Sequence, residues 1–167
     1  MISCTQLMTQ EYVNPQVVEA AMANWETILD EVSKMATEYQ TAEWETVVLR
    51  PGDIQLVSSE DLQPGLDVLI PDDEYVELEG VLKSGVSFDS YEVHKDVMDG
   101  VVHLIIVMEG NASQVALLYP AFYGIENTEV INQARADGEL RTYLRRLNGD
   151  YVELTHSDPE LFAPPAE

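Results

Sequence analysis

Basic residues are scarce in this chain. Eight cations face 31 acids, and only three of the eight are lysines: Lys34, Lys83 and Lys95. Direct nucleic-acid binding is therefore not expected, because contact with the phosphate backbone needs a basic stripe. Cysteine is scarcer still. Cys4 stands alone, which excludes an intramolecular disulfide and a cysteine-based zinc site. No helix start or basic neighbour activates its thiol, so it reads as incidental. The N-terminus has no basic stretch leading into an apolar one, so no secretory signal is expected. Apolar runs such as Val101–Met108 are far too short to span a bilayer, and no membrane partner is expected. Phosphate loops, dinucleotide fingerprints, nucleophile elbows and metalloprotease motifs are all missing. The expected catalytic set and the expected cofactor set are both empty.

What is present is acid and apolar residues in balance. The formal charge is -23 over 167 residues, with 46% of the chain apolar. That apolar content, with turn signals along the chain, argues for a folded domain and against a disordered acidic tail. The acids are dispersed, with nine in residues 1–55, thirteen in 56–111 and nine in 112–167. A dispersed acidic surface with almost no lysine suits molar salt, where screening confines repulsion to about 3 Å. The charge reads as adaptation to a salt-rich cytoplasm. A DNA mimic would carry its acids in rows at phosphate spacing, and no such rows are visible.

The clearest element follows Asn14-Pro15, a cap and a first-turn proline. Apolar residues then fall at Val18, Ala21, Trp25, Ile28, Val32, Met35 and Tyr39, the three-four spacing of an amphipathic helix of about 25 residues. This stripe packs either on the chain's own sheet or, through Val18, Trp25, Ile28 and Val32, on a partner. Strands are expected at Trp44–Arg50, Ile54–Val57 and Leu66–Ile70, with a second helix after Pro71. Asp99-Gly100 signals a two-residue hairpin between Phe88–Val97 and Val101–Glu109, pairing Asp96 with His103 and His94 with Ile105. A strand from Gln114 runs into Pro120, which suggests an edge or a bulge. A third helix over about 128–137 and a second hairpin at Asn148-Gly149 complete the pattern. The fold class is α+β: a mostly antiparallel sheet of about 6–8 strands with three helices, mainly on one face. Residues 14–156 form the domain, between a flexible segment 1–13 and a Pro-rich tail 157–167.

Two patches carry candidate chemistry. His94, Asp96 and His103 share one face of the first hairpin, where cross-strand Cβ atoms lie about 5 Å apart and could converge on a metal ion. Tyr91, Val93, Leu104 and Ile106 on the opposite face look like core, so the plainer reading is a solvated polar patch. His156 reads as an exposed strand end. Arg141, Tyr143 and Arg145 alternate onto a face beside Val152, Leu154 and His156, with Arg146 next to them. Arginine forks suit an anion or an acidic partner, although pairing with Glu153 or Asp150 is the simpler use of them.

The words WETVVLRPGDI, GLDVLIPDDEY, VVHLIIVMEG and YPAFY resemble a family of small, acidic haloarchaeal proteins of unknown function, over about Trp25 to Phe162. The resemblance implies a haloarchaeal cytoplasm and brings no activity, ligand or site residue with it. The reading at this level is a non-enzymatic binding, regulatory or interaction domain whose partner is another protein or a second copy of the chain. The alternative is a small-ligand or metal site, enzymatic or not, on the His94/Asp96/His103 or the Arg141/Arg145 face.

Overall fold

Pro15 opens the long helix α1 (Pro15–Thr41), and the three-four stripe decides which side of it is buried. Ala21, Ile28, Val32 and Ala36 are buried on that side, while Glu26, Asp30 and Lys34 face outward. The computed structural model describes residues 8–11, 15–59 and 63–164. Cys4 and the expected cap Asn14 lie outside the described residues.

Among the described residues there are nine strands and two further helices. They are β1 (Met8–Glu11), β2 (Glu45–Val48), β3 (Asp53–Ser59), β4 (Gly65–Leu69), α2 (Asp72–Lys83), β5 (Ser90–Met98), β6 (Val101–Gly110), β7 (Val115–Gly124), α3 (Glu129–Asp137), β8 (Leu140–Arg145) and β9 (Tyr151–His156). The α+β class, the three helices and the long N-terminal one are as the sequence led us to expect. The strands, however, divide into two sheets. One has the order β1-β3-β4-β8-β9 and the other β2-β7-β6-β5. Pairing is antiparallel except for β2 with β7 and β4 with β8. The helices are shared out accordingly: α1 lies across β7, β2 and β6, and α3 lies against the first sheet. Among the described residues, no helix is long and apolar enough to cross a membrane.

The main core gathers Leu56, Leu66, Val68 and Leu144 from the first sheet with Leu104, Ile106, Leu117 and Tyr119 from the second. A second, smaller core lies between α1 and the far face of the second sheet, where Ile28, Val32 and Ala36 meet Ile105, Val107 and Leu118. A strand buried on both faces loses the alternation that would mark one, and β6 and β7 are apolar almost throughout. Pro120 sits in β7 between two neighbours, β2 and β6. Its missing N–H is tolerated because β2 pairs only as far as Leu118, two residues earlier.

The two hairpins behave differently. Asp99 and Gly100 both have positive φ, 55° and 78°, as a type I′ turn requires. The expected register follows, with Asp96 opposite His103 and His94 opposite Ile105. In the second hairpin only Gly149 has positive φ, 97°. The loop is one residue longer, closed by the Gly149 N–H donating to the Arg146 carbonyl and the Arg146 N–H donating to the Asp150 carbonyl, each at 2.9 Å. Arg141 therefore pairs with Thr155, Tyr143 with Glu153 and Arg145 with Tyr151. Val152, Leu154 and His156 move to the other face, because a one-residue shift in a strand of period two exchanges its faces. His156 is consequently not an exposed strand end but fully buried.

The core also continues past His156. A 3-10 turn at Pro159–Phe162 returns the chain to the body, burying Phe162 and Ala163. The Tyr123 hydroxyl donates to the Phe162 carbonyl and the Lys95 ammonium to the Ala163 carbonyl.

Candidate functional site

The register of the first hairpin places His94 and Asp96 of β5 and His103 of β6 on one face, as expected, and Tyr91, Val93, Leu104 and Ile106 against the main core on the other. The histidine face is covered only in part: His103 is buried, whereas His94 and Asp96 are exposed. It is the face that α1 crosses, and α1 covers β6 while β5 runs along its flank. The result is a trough walled by the second half of α1 on one side and by β5 on the other, with β6 as its floor.

Two adjoining cavities make up the trough. One, of about 360 Å³, is lined by Glu38, Tyr39, Trp44, Glu92 and Val107 among others. The second, of about 260 Å³, is lined by Ile28, Glu31, Asp96, Met98 and His103 among others. Met35 and His94 line both and stand between them. The first volume falls within the range of small-molecule sites, about 300–1,000 Å³.

Local chain geometry positions the aromatic end. Glu43 takes positive φ, 71°, and turns the chain sharply after α1. The Trp44 N–H donates to the Tyr39 carbonyl at 2.9 Å, and the two rings meet at 5.3 Å with their planes inclined by 57°. The Tyr39 hydroxyl donates to Glu109 Oε2 at 2.8 Å. Burial and the carboxylates of Glu109, Glu92 and Glu38 hold that phenol well above its usual titration range. Tyr39 is legible in the sequence as part of the helix stripe. Its role beside Trp44 is not, because the meeting depends on the turn that α1 makes before β2.

His103 dominates the other end. It is only 2% exposed, and neither ring nitrogen has a hydrogen-bond partner within the protein. Burial pushes its pKa down, against the opposing pull of Asp96 and Asp99. The imidazole is therefore neutral at pH 7, with one donor and one acceptor to offer. A buried polar group without a partner costs about 1–3 kcal/mol.

The metal reading does not gather geometrically. Among the described residues, no group of three or more His, Cys, Asp or Glu is placed to hold a metal ion. Asp96 and His103 face each other across the ladder, but the His94 Nε2 lies 3.4 Å from Glu92 Oε2, on half-exposed side chains.

The arginine patch is occupied by acids. Arg141 bonds Glu139 at 3.0 Å and Glu153 at 3.2 Å. Arg145 bonds Asp67 at 2.9 Å and lies over the Tyr151 ring, and Arg146 bonds Asp72 at 3.0 Å and lies over Tyr75. Tyr143 shares the face of Arg141 and Arg145 but is buried, its hydroxyl donating to the Gln63 carbonyl at 2.7 Å. These ion pairs are the simpler use of the arginines, which an acid-rich surface makes readily available. Most of the stripe that could serve as a partner seam faces inward. Ile28 and Val32 are buried in the chain's own second core, and Trp25 packs edge-to-face on Phe122 at 5.8 Å. Of the four seam residues, Val18 is the one left exposed, at 38%.

His156 is buried for a different reason from His103. Its Nε2 lies 2.8 Å from the Thr142 hydroxyl, which accepts a hydrogen bond from the Tyr119 hydroxyl at 2.9 Å. The rings of Tyr91 and Phe162 cover it at 5.0 and 4.9 Å. This chain of polar groups ties β7 of one sheet to β8 and β9 of the other.

No curated protein and no solved structure matches the chain. The model of DUF7529, a family of unknown function, matches residues 13–164, nearly the whole span from α1 to the end of the core, and the chain belongs to that family.

Proposed function

We propose that the chain is a non-enzymatic binding domain of a salt-rich cytoplasm and that it takes a small ligand in the trough between α1 and the β5–β6 hairpin. One observation carries this reading: His103, buried on the trough floor with two ring nitrogens that no protein group satisfies. A group kept there at a cost to stability is what a binding site requires, because its hydrogen bonds are reserved for a ligand. The cavity volumes and the mixed apolar and acidic lining support the same reading.

Replacing His103 tests it. His103→Leu removes two unsatisfied polar atoms at nearly constant volume, so the ligand-free protein gains about 1–2 kcal/mol, a rise in Tm of about 2–8 °C. A small-molecule thermal-shift screen in molar KCl yields ligands that stabilise the wild type and leave His103→Leu unchanged. A His103→Leu variant that is destabilised and still responds to the same ligands removes the proposal.

A further inference from the structure

The two ends of the trough differ in chemistry, and the difference points to a ligand class. At the Tyr39–Trp44 end two aromatic rings form an inclined corner, and the carboxylates of Glu38 and Glu92 line the same cavity. No lysine or arginine lines it. The one lysine of the trough, Lys95, borders the neighbouring cavity, and its ammonium is engaged by the Ala163 carbonyl at 2.8 Å. Aromatic faces carry negative potential, and a cation over them is attracted most strongly where water is excluded. Carboxylates at the rim add to that field. Bare inorganic cations keep their water and gain little from Met35, Val107 and the ring faces, whereas an alkylated ammonium places apolar methyl groups against them.

We infer that the Tyr39–Trp44 corner binds the head of a small alkylated ammonium ion, with the remainder of the ligand running past Met35 and His94 toward His103. The inference rests on the trough being the ligand seat and specifies what it takes. The tail is neutral and polar, a hydroxyl or an amide. A carboxylate there would lie among Asp96, Asp99 and Glu31, whereas the neutral imidazole of His103 can donate to or accept from an uncharged group.

Choline and its neutral carbon isostere, dimethylbutanol, have the same shape and differ in charge. Isothermal titration of the full chain with choline gives a saturable isotherm with a millimolar Kd, and the isostere binds about fivefold more weakly, the size of a cation–π contact at a partly open site. Trp44→Leu weakens choline by about fivefold. Glu92→Gln, at an exposed strand position that leaves the fold intact, weakens it by about threefold. Raising KCl weakens binding only partly, because the contact with the rings is not screened as a surface ion pair is. Equal affinity for choline and the isostere overturns the inference, as does choline binding that neither variant changes. Amide shifts in the same titrations separate this failure from that of the binding reading. If uncharged fragments shift α1 and β6 amides while choline does not, the cation inference falls and the trough stands. If no compound shifts them, both fall.

Discussion

The two hairpins of this protein each contain a residue followed by glycine between two short strands, yet only one takes the register its turn suggests. At Asp99-Gly100 both residues adopt positive φ, and the β5–β6 pairing follows residue for residue. At Asn148-Gly149 the asparagine stays at negative φ, and its side-chain oxygen accepts from the Asp150 N–H at 2.9 Å. The loop gains one residue and β9 turns over. Burial decides the difference. In the two-residue register Glu153 would stand opposite the buried Leu144, and Leu154 would face outward. Burying a leucine is favourable by about 1.5–3 kcal/mol, against about 1 kcal/mol for a preferred turn conformation. In the first hairpin turn preference and apolar pattern agree, so nothing competes. Glycine after a turn former marks the hairpin, but the apolar residues on both strands choose its register.

Three comparisons press on that contrast. The largest effect is expected from β9 itself. Leu154→Ala leaves a void in the main core and costs about 2–5 kcal/mol, while Glu153→Ala, on the outer face, stays within about 0.5–1 kcal/mol. Urea unfolding in molar KCl measures both, and the reverse order would restore the two-residue register.

His156 comes next, because only the observed register buries it. Burial pushes its pKa down to about 4 from 6.5. The unfolded chain therefore takes up the proton first. Stability is complete above about pH 6.5 and is lost as pH falls toward 4, by up to about 3 kcal/mol. Carboxylate protonation over the same range relieves repulsion and acts in the opposite direction. The quantity to measure is thus the difference between wild type and His156→Leu, followed by thermal unfolding at pH 7 and pH 5. A difference that does not change with pH would place the histidine in water.

The smallest effect separates the turns. Asp99→Ala puts a residue with no side-chain hydrogen bond into left-handed backbone and costs about 1 kcal/mol. Asn148→Ala keeps ordinary backbone and forfeits only an exposed hydrogen bond, a few tenths of a kcal/mol. Equal costs would mean that both turns use the same geometry.

Much of the framework was legible in the sequence. The α1 stripe, the α+β class and the pairing of His94, Asp96 and His103 all follow from spacings of two to four residues. The candidate site was only half legible. Its histidine face could be drawn, but the second wall comes from α1, more than fifty residues earlier in the chain, and the Tyr39–Trp44 corner comes from the end of α1 and the turn after it. The arginine face was legible as a face but not as a set of closed ion pairs, since Asp67 and Asp72 reach it from β4 and the start of α2.

By itself the sequence determined the local periodicities, the dispersed charge and the type I′ turn, because each depends on neighbours a few residues away. The tertiary structure decided that the strands split into two sheets, that α1 roofs one of them and that β9 turns its histidine inward. Those outcomes depend on which distant apolar surface is there to cover a given face. A pattern of period two or 3.6 shows that a face wants burial, but not which element will bury it.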